Sequence, residues 1–231
     1  TIHNLAHQGI FPKDSLAVAG IDPKHFYPMS PFEYWGQVNF MKAGIELADR
    51  VNTVSETYAA EIQSHPEFGM GLEHVLRRRA ADLSGIVNGI DTREWDPETD
   101  PHLPARYSAR DLSGKAVCKD SLLRSFGLPN PGGRTPLAGI VSRLADQKGF
   151  DLIAGAVHEI ASLEMQLVIL GTGQQKYHDL LERMAARYPE KIAVRFAFDN
   201  ALAHRIEAGC DMFLMPSKFE PCGLTQLYSL R

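Results

Sequence analysis

Cysteine is scarce. There are three in 231 residues, Cys118, Cys210 and Cys222, an odd number without metal-ligand spacing. This excludes a disulfide scaffold and suits a reducing compartment. Positive charge is not in excess either. The formal net charge is −4, so nothing points to nucleic acid as a partner. Arg77-Arg78-Arg79 is the one basic run, and it reads as a solvated helix face. No apolar stretch is long enough to span a membrane. Internal repeats and low-complexity tracts are missing. The dinucleotide fingerprint Gly-x-Gly-x-x-Gly is begun by Gly171-Thr172-Gly173, but Lys176 stands where its third glycine belongs.

What is present is an ordinary globular composition. The apolar fraction of 44% is enough for a real core. The C-terminal part alternates short apolar runs with helical patterns. Strands are expected over 136–142, 165–170, 191–196 and 211–215. Helices are expected over 108–126, 150–163, 174–187, 199–208 and from Cys222 onward, the last turning Leu227 and Leu230 inward. Lys115, Lys119 and Arg124 are placed on outer faces. Such β-α alternation with short links means a parallel sheet with helices on both faces. Before it, a strand is expected to end at His3. The stretch 11–29 reads as irregular surface chain, with a helix from Pro31 to about Ala48. Phe40, Ile45 and Leu47 mark the apolar face of that helix, and Lys42 and Glu46 an i,i+4 pair. A strand over 50–54, a helix capped by Ser55 and a helix over 67–81 complete this part. Asn88-Gly89 is a strong turn signal, and the Pro-rich run from Trp95 to Pro104 reads as a long connection. The division expected is 1–88, a linker over 89–107, and 108–231.

Three links between strands and helices, 142–149, 171–174 and 216–223, fall at one edge of the expected sheet. That edge is where doubly wound folds hold ligands. Arg143 and Lys148 offer a guanidinium fork and an ammonium within one loop, suited to a diphosphate. Gly171 and Gly173 would let a base and ribose approach. Cys222-Gly223-Leu224-Thr225 opens a helix whose unpaired N–H groups suit an anion. Cys222 reads as a small, partly buried residue shaping that cradle. Glu220 lies beside it as an acceptor for a sugar hydroxyl, although a solvated loop carboxylate fits the pattern as well.

The run Phe219-Glu-Pro-Cys-Gly-Leu-Thr-Gln-Leu-Tyr228 resembles the signature of bacterial glycogen synthases and plant starch synthases. Thr1-Ile-His-Asn-Leu-Ala-His-Gln-Gly9, Val87-Asn-Gly-Ile-Asp91 followed by Trp95-Asp-Pro97, and Ser142-Arg-Leu-x-x-Gln-Lys-Gly149 resemble the same family. Many retaining transferases of the wider clan carry a second Glu eight positions after the first. Here that position is Tyr228, as in the starch and glycogen branch. The resemblance implies an α/β fold of the GT-B type, with two Rossmann-like domains facing a cleft and both incomplete in this chain. It implies a retaining transfer of glucose from ADP-glucose to the non-reducing end of an α-1,4-glucan such as glycogen. His3, Arg143, Lys148 and Glu220 would be catalytic. Asn4, Asn88, Gly171, Thr172, Gly173, Cys222, Gly223, Leu224 and Thr225 would bind substrate. No metal and no cofactor are implied. A bacterial protein of this kind would be cytoplasmic, and a plant one plastidial. The family's Lys-Thr-Gly-Gly loop is not in this sequence, so the chain alone is expected to be inactive. Two other readings stay open: another sugar-nucleotide enzyme of this fold, such as a UDP-sugar transferase or epimerase, and a noncatalytic glucan- or nucleotide-binding module.

Overall fold

The computed structural model describes residues 1–231, the side chain of Pro131 excepted. The chain divides into two compact units. One comprises Thr1–Gly89 with Glu220–Cys222, the other Ile90–Phe219 with Gly223–Arg231.

The first unit carries two small sheets. Strands β1 (Ile10–Phe11), β2 (Glu33–Tyr34) and β3 (Gln37–Asn39) form an antiparallel sheet in the order β1-β3-β2. Strand β4 (Val51–Thr53) pairs in parallel with β5 (Leu83–Gly85). The expected strand up to His3 is reduced to a single bridge, Ile2 to Thr53, backed by the Thr53 hydroxyl donating to Ile2 O. Helix Glu56–Ser64 starts as the sequence suggests: Ser55 Oγ accepts from Tyr58 N at 2.9 Å. Its Tyr58 and Ile62 pack inward in a core with Leu5, Leu72, Val75 and Leu76. Burial raises the Tyr58 phenol above its ordinary pKa, while its oxygen accepts from Leu5 N at 3.0 Å.

Several expected elements are shorter than the pattern suggests. The helix set at 31–48 runs only over Phe40–Leu47, capped by Asn39, and Leu47 faces out. The segment before it is a hairpin, because Trp35 and Gly36 both adopt positive φ, 51° and 80°, as a two-residue turn demands. Short elements also occupy the irregular stretch: β1, a helical turn Ser15–Val18 and a 3-10 turn Pro23–His25. The helix set at 67–81 is two helices, Pro66–Gly69 and Glu73–Arg78, separated where Met70 and Gly71 turn left-handed. Arg79 is not part of a solvated face. Its Nη1 donates to Ile45 O and Glu46 O at 2.7 and 2.9 Å, and its Nη2 to Ala48 O at 2.6 Å. A guanidinium there satisfies carbonyls that the end of helix Phe40–Leu47 leaves unpaired. The i,i+4 pair Lys42–Glu46 is present at 3.5 Å, with the buried ammonium also donating to Ser30 O and Pro31 O.

The second unit is built on one parallel sheet. Strands β6 (Leu137–Val141), β7 (Gln166–Leu170), β8 (Ile192–Arg195) and β9 (Met212–Phe213) lie in the order β8-β7-β6-β9. Side chains alternate along β7, so Leu167 and Ile169 enter one core and Val168 and Leu170 the other. Helix Gln175–Arg187 covers the first face through Tyr177, Leu181 and Met184. Helices Ser113–Phe126 and Asn200–Gly209 cover the second through Leu122, Leu123 and Ile206. Both faces of the central strands are dry, which explains their unbroken apolar runs.

Here too the ends move. Helix 108–126 begins at Ser113, since Ser108 and Asp111 close a tight turn on each other. Lys115 and Lys119 are not outward: Lys119 Nζ meets Asp211 Oδ2 at 2.6 Å, and Lys115 Nζ donates to Ala208 O at 2.8 Å. Arg124 does lie outside, paired with Asp120. Helix 150–163 breaks at Ala156. The strand set at 211–215 keeps only Met212–Phe213, flanked by Asp211, which accepts from Leu137 N, and by Leu214, whose N donates to Gly139 O. The last helix starts at Leu224, and Leu230 points to solvent.

The connection after Ile90 is ordered on this unit. Trp95 lies between the rings of His204 and Tyr228, 3.8 and 3.9 Å centroid to centroid and nearly parallel to both. Beneath it, buried Asp100 accepts from His102 N at 2.7 Å and pairs with His204 Nδ1 at 2.6 Å.

Candidate active site

A cavity of about 370 Å³ opens at the C-terminal edge of the parallel sheet in the second unit. Its floor is the ends of β6 and β7, Val141-Ser142-Arg143 and Leu170-Gly171-Thr172. One wall is Phe198-Asp199-Asn200 at the start of helix Asn200–Gly209. The other wall is Trp95, Tyr228 and Thr225. Of the residues singled out in the sequence, Arg143, Gly171, Thr172 and Thr225 line this one cavity. Lys148, Gly173, Gly223 and Leu224 lie in the same unit but off its wall. His3, Asn4, Asn88, Glu220 and Cys222 are grouped with the first unit.

The two glycines have a structural reason beyond ligand access. A Cβ at Gly171 would stand 2.0 Å from Ser142 O, and one at Gly173 2.3 Å from Leu144 O. The loops after β6 and β7 therefore touch backbone to backbone. Leu144 N donates to Thr172 O at 3.0 Å, and Gln174 N to Leu144 O at 2.8 Å. This bonded pair of loops holds Arg143 at the cavity floor. The next turn, Asp146–Lys148, is tied elsewhere: Gln147 Nε2 donates to Phe219 O at 3.0 Å, and Lys218 N to Gln147 O at 2.9 Å. The loop bearing Lys148 and the loop leading to Glu220 are thus fastened to each other. Asp146 accepts from Lys176 and from Tyr177, and these bonds hold its carboxyl below the usual range.

The wall at Phe198–Asn200 was not singled out in the sequence, nor was Trp95 as a lining residue. Asp199 caps its helix by accepting from Leu202 N at 2.9 Å, so the helix presents its positive end to the cavity. Phe198, 97% exposed, stands at the lip. The available signal was an aromatic directly before an Asp cap, at the end of a strand of this sheet.

Glu207 lies deeper, on the same wall as Tyr228. Desolvation pushes its carboxyl up from 4.5 to about 7, against the Ser229 hydroxyl, which donates to Oε2 at 2.6 Å, and the Lys115 charge. Its Oε1 has no hydrogen-bond partner. The folded state therefore holds a proton that the unfolded chain releases near pH 4.5. The resulting stabilisation is complete below about pH 4.5 and is lost as pH rises through about 7, in total about 3 kcal/mol. Glu207→Gln should flatten this dependence. Urea titrations at pH 5 and pH 8 should show the wild type weakening between them and the variant not. Equal slopes in both proteins would remove the buried-proton account.

Two family models match the chain: the starch synthase catalytic domain over residues 1–78 and the glycosyl transferases group 1 domain over residues 129–228. A glycogen synthase from Anaeromyxobacter sp. is 53% identical over the whole chain, which covers 48% of that relative. Glycogen synthase 1 of Geobacter sulfurreducens is 50% identical, again over the whole chain and 46% of the relative. The catalytic domain of starch synthase IV from Arabidopsis thaliana, solved with ADP and acarbose, superposes with a TM-score of 0.91. It is 36% identical, over 99% of this chain and 47% of that one. The chain belongs to the glycogen and starch synthase family. It spans about half the length of the curated relatives it matches. The Anabaena protein HepE, solved with UDP and glucose, matches at a TM-score of 0.55 and 18% identity over 94% of this chain and 53% of its own, and shares the fold alone. The fold is α/β of the GT-B type. Among the described residues, no helix is long and apolar enough to cross a membrane.

Proposed function

We propose that the whole protein is a retaining glucosyltransferase that moves glucose from ADP-glucose to the non-reducing end of an α-1,4-glucan. The observation that carries the reading is Arg143 held at the floor of a cavity at the sheet edge, in a chain 53% identical to a glycogen synthase. The starch synthase IV catalytic domain, which was solved with ADP and acarbose bound, supports a nucleotide and a glucan as ligands.

On this reading the nucleotide occupies the cavity, with Phe198 and Thr172 on its rim. Arg143 and Lys148 neutralise charge that builds on the diphosphate as the bond to glucose breaks. Thr225, with the amides of Gly223 and Leu224, binds phosphate or sugar hydroxyls. Glu220 accepts from a glucose hydroxyl, with Cys222 shaping the chain beside it. His3, Asn4 and Asn88 bind sugar. The departing phosphate oxygen takes the proton of the attacking acceptor hydroxyl on the face it leaves, so configuration at the anomeric carbon is kept. No cofactor enters this scheme, because cationic side chains stabilise the leaving group.

The test is transfer of labelled glucose by the whole protein onto glycogen. ADP-glucose should be preferred over UDP-glucose, and the label should be released by an enzyme specific for α-1,4 links. Glu220→Ala should lower turnover by roughly 10²–10³, the range for losing one preorganised polar group. Preference for a UDP-sugar, or no transfer at all, would overturn the reading.

A further inference from the structure

The first unit holds a second feature outside the sheet-edge cavity. Trp35 sits at the tip of the β2–β3 hairpin with φ 51°, followed by Gly36 at φ 80°. Two-residue turns of this geometry strongly prefer Asn-Gly or Asp-Gly, because a bulky side chain is strained at positive φ. The strain is not offset by burial, since Trp35 is 88% exposed. Met29 repeats the pattern, with φ 64° and 86% exposure. One carboxylate fixes both: Glu33 Oε1 accepts from Gly36 N at 2.8 Å, and Oε2 accepts from Met29 N at 3.2 Å. Strained residues held in place without packing gain point to a ligand.

The surroundings say which kind. Trp35 and Met29 border a recess of about 350 Å³, within the range of small-molecule pockets. Its other side carries Glu46, His74 and Arg78, with Arg78 Nη2 on Glu46 Oε1 at 2.8 Å. An indole face is electron-rich and attracts the C–H face of a pyranose, while donors and acceptors of both signs take up the hydroxyls around the ring. A membrane or an apolar peptide would strip water from these charges without replacing their hydrogen bonds. Strand addition is unsuited as well, because β2 is an edge of two residues.

We infer that Met29, Trp35 and the recess edged by Glu46 and Arg78 form a carbohydrate-binding site on the first unit, one that holds the rings of a glucan chain and shares no residue with the sheet-edge cavity. That the glucan is α-1,4-linked rests on the function proposed above; the stacking site does not.

The experiment is affinity electrophoresis of the whole protein through gels containing glycogen, with Trp35→Asn as the variant. Asparagine is the residue the turn prefers, so the hairpin should form and the melting temperature should hold or rise. The dissociation constant for glycogen should rise roughly tenfold, the effect of losing one stacked aromatic contact. Loss of retention with an intact melting temperature supports the site, whether or not the wild type transfers glucose from ADP-glucose. Wild-type transfer with no change in retention overturns the site and leaves the proposed function standing. A lower melting temperature makes Trp35 a packing residue and also overturns it. Loss of binding to anionic vesicles, in place of glycogen, assigns the surface to lipid and rejects the glucan.

Discussion

Replacing Arg143 or Lys148 by alanine in the whole protein should cut kcat roughly 10²–10³-fold, with a smaller change in KM for the nucleotide sugar. On the proposed function, charge on the departing diphosphate is greater in the transition state than in the bound donor, so cations placed to meet it would act mainly on turnover. The two residues are held differently. Arg143 projects from a loop locked to the Gly171–Gly173 loop, at the cavity floor. Lys148 ends a 3-10 turn whose neighbour Gln147 is bonded to Lys218 and Phe219. If both reach one diphosphate, the double variant should lose less than the product of the single losses. Lys148→Arg should recover activity only in part, since a planar fork does not reproduce a compact ammonium. Steady-state kinetics on these variants checks this. A raised KM with unchanged kcat would make the pair ground-state binders only.

The largest effect on stability should come from Asp100. Its carboxylate is buried, accepts from the backbone at His102 and pairs with a ring nitrogen of His204, itself buried under Trp95. Asp100→Ala leaves that nitrogen without its partner and releases the turn at 100–102. The expected loss is about 3 kcal/mol, the upper end for leaving a buried hydrogen-bonding group unsatisfied. Asp100→Asn keeps shape and an acceptor, and should cost about 1 kcal/mol. Urea unfolding followed by tryptophan fluorescence measures both. Because Trp95 and Tyr228 also line the cavity, Asp100→Ala should weaken binding of the nucleotide proposed for it as well. A loss below the asparagine value would mean that the stack does not depend on its buried acid.

The parallel sheet was legible because each central strand is a short apolar run bounded by links that break it. Leu137–Val141 and Gln166–Leu170 sit within one residue of where the pattern put them. Helix starts were legible where a side chain caps, as at Ser55 and Asp199. Helix lengths were not. Periodicity carries across Trp35-Gly36, Met70-Gly71 and Ala156, and only the backbone's turn at each shows the break. The fate of charged side chains was hidden too. Lys119 and Arg79 look solvated because their partners, Asp211 and the carbonyls around Ala48, lie far away in sequence. Part of the cavity lining was readable for the same reason the sheet was: Arg143 and Thr172 follow strands the pattern reveals, and Thr225 lies in the first turn of a helix it reveals. The wall at Phe198–Asn200 was missed because a single exposed aromatic before a cap carries no periodic signal.

The contact between the loops after β6 and β7 bears on how this molecule could be redesigned. With Ser142 O and Leu144 O lying where side chains of residues 171 and 173 would have to go, neither loop can change thickness or length without the other. A library that randomises either glycine would yield mostly misfolded members. Changing what the cavity accepts is easiest at Phe198, Asn200 and Thr172, which border it and whose side-chain replacement leaves that backbone seam closed.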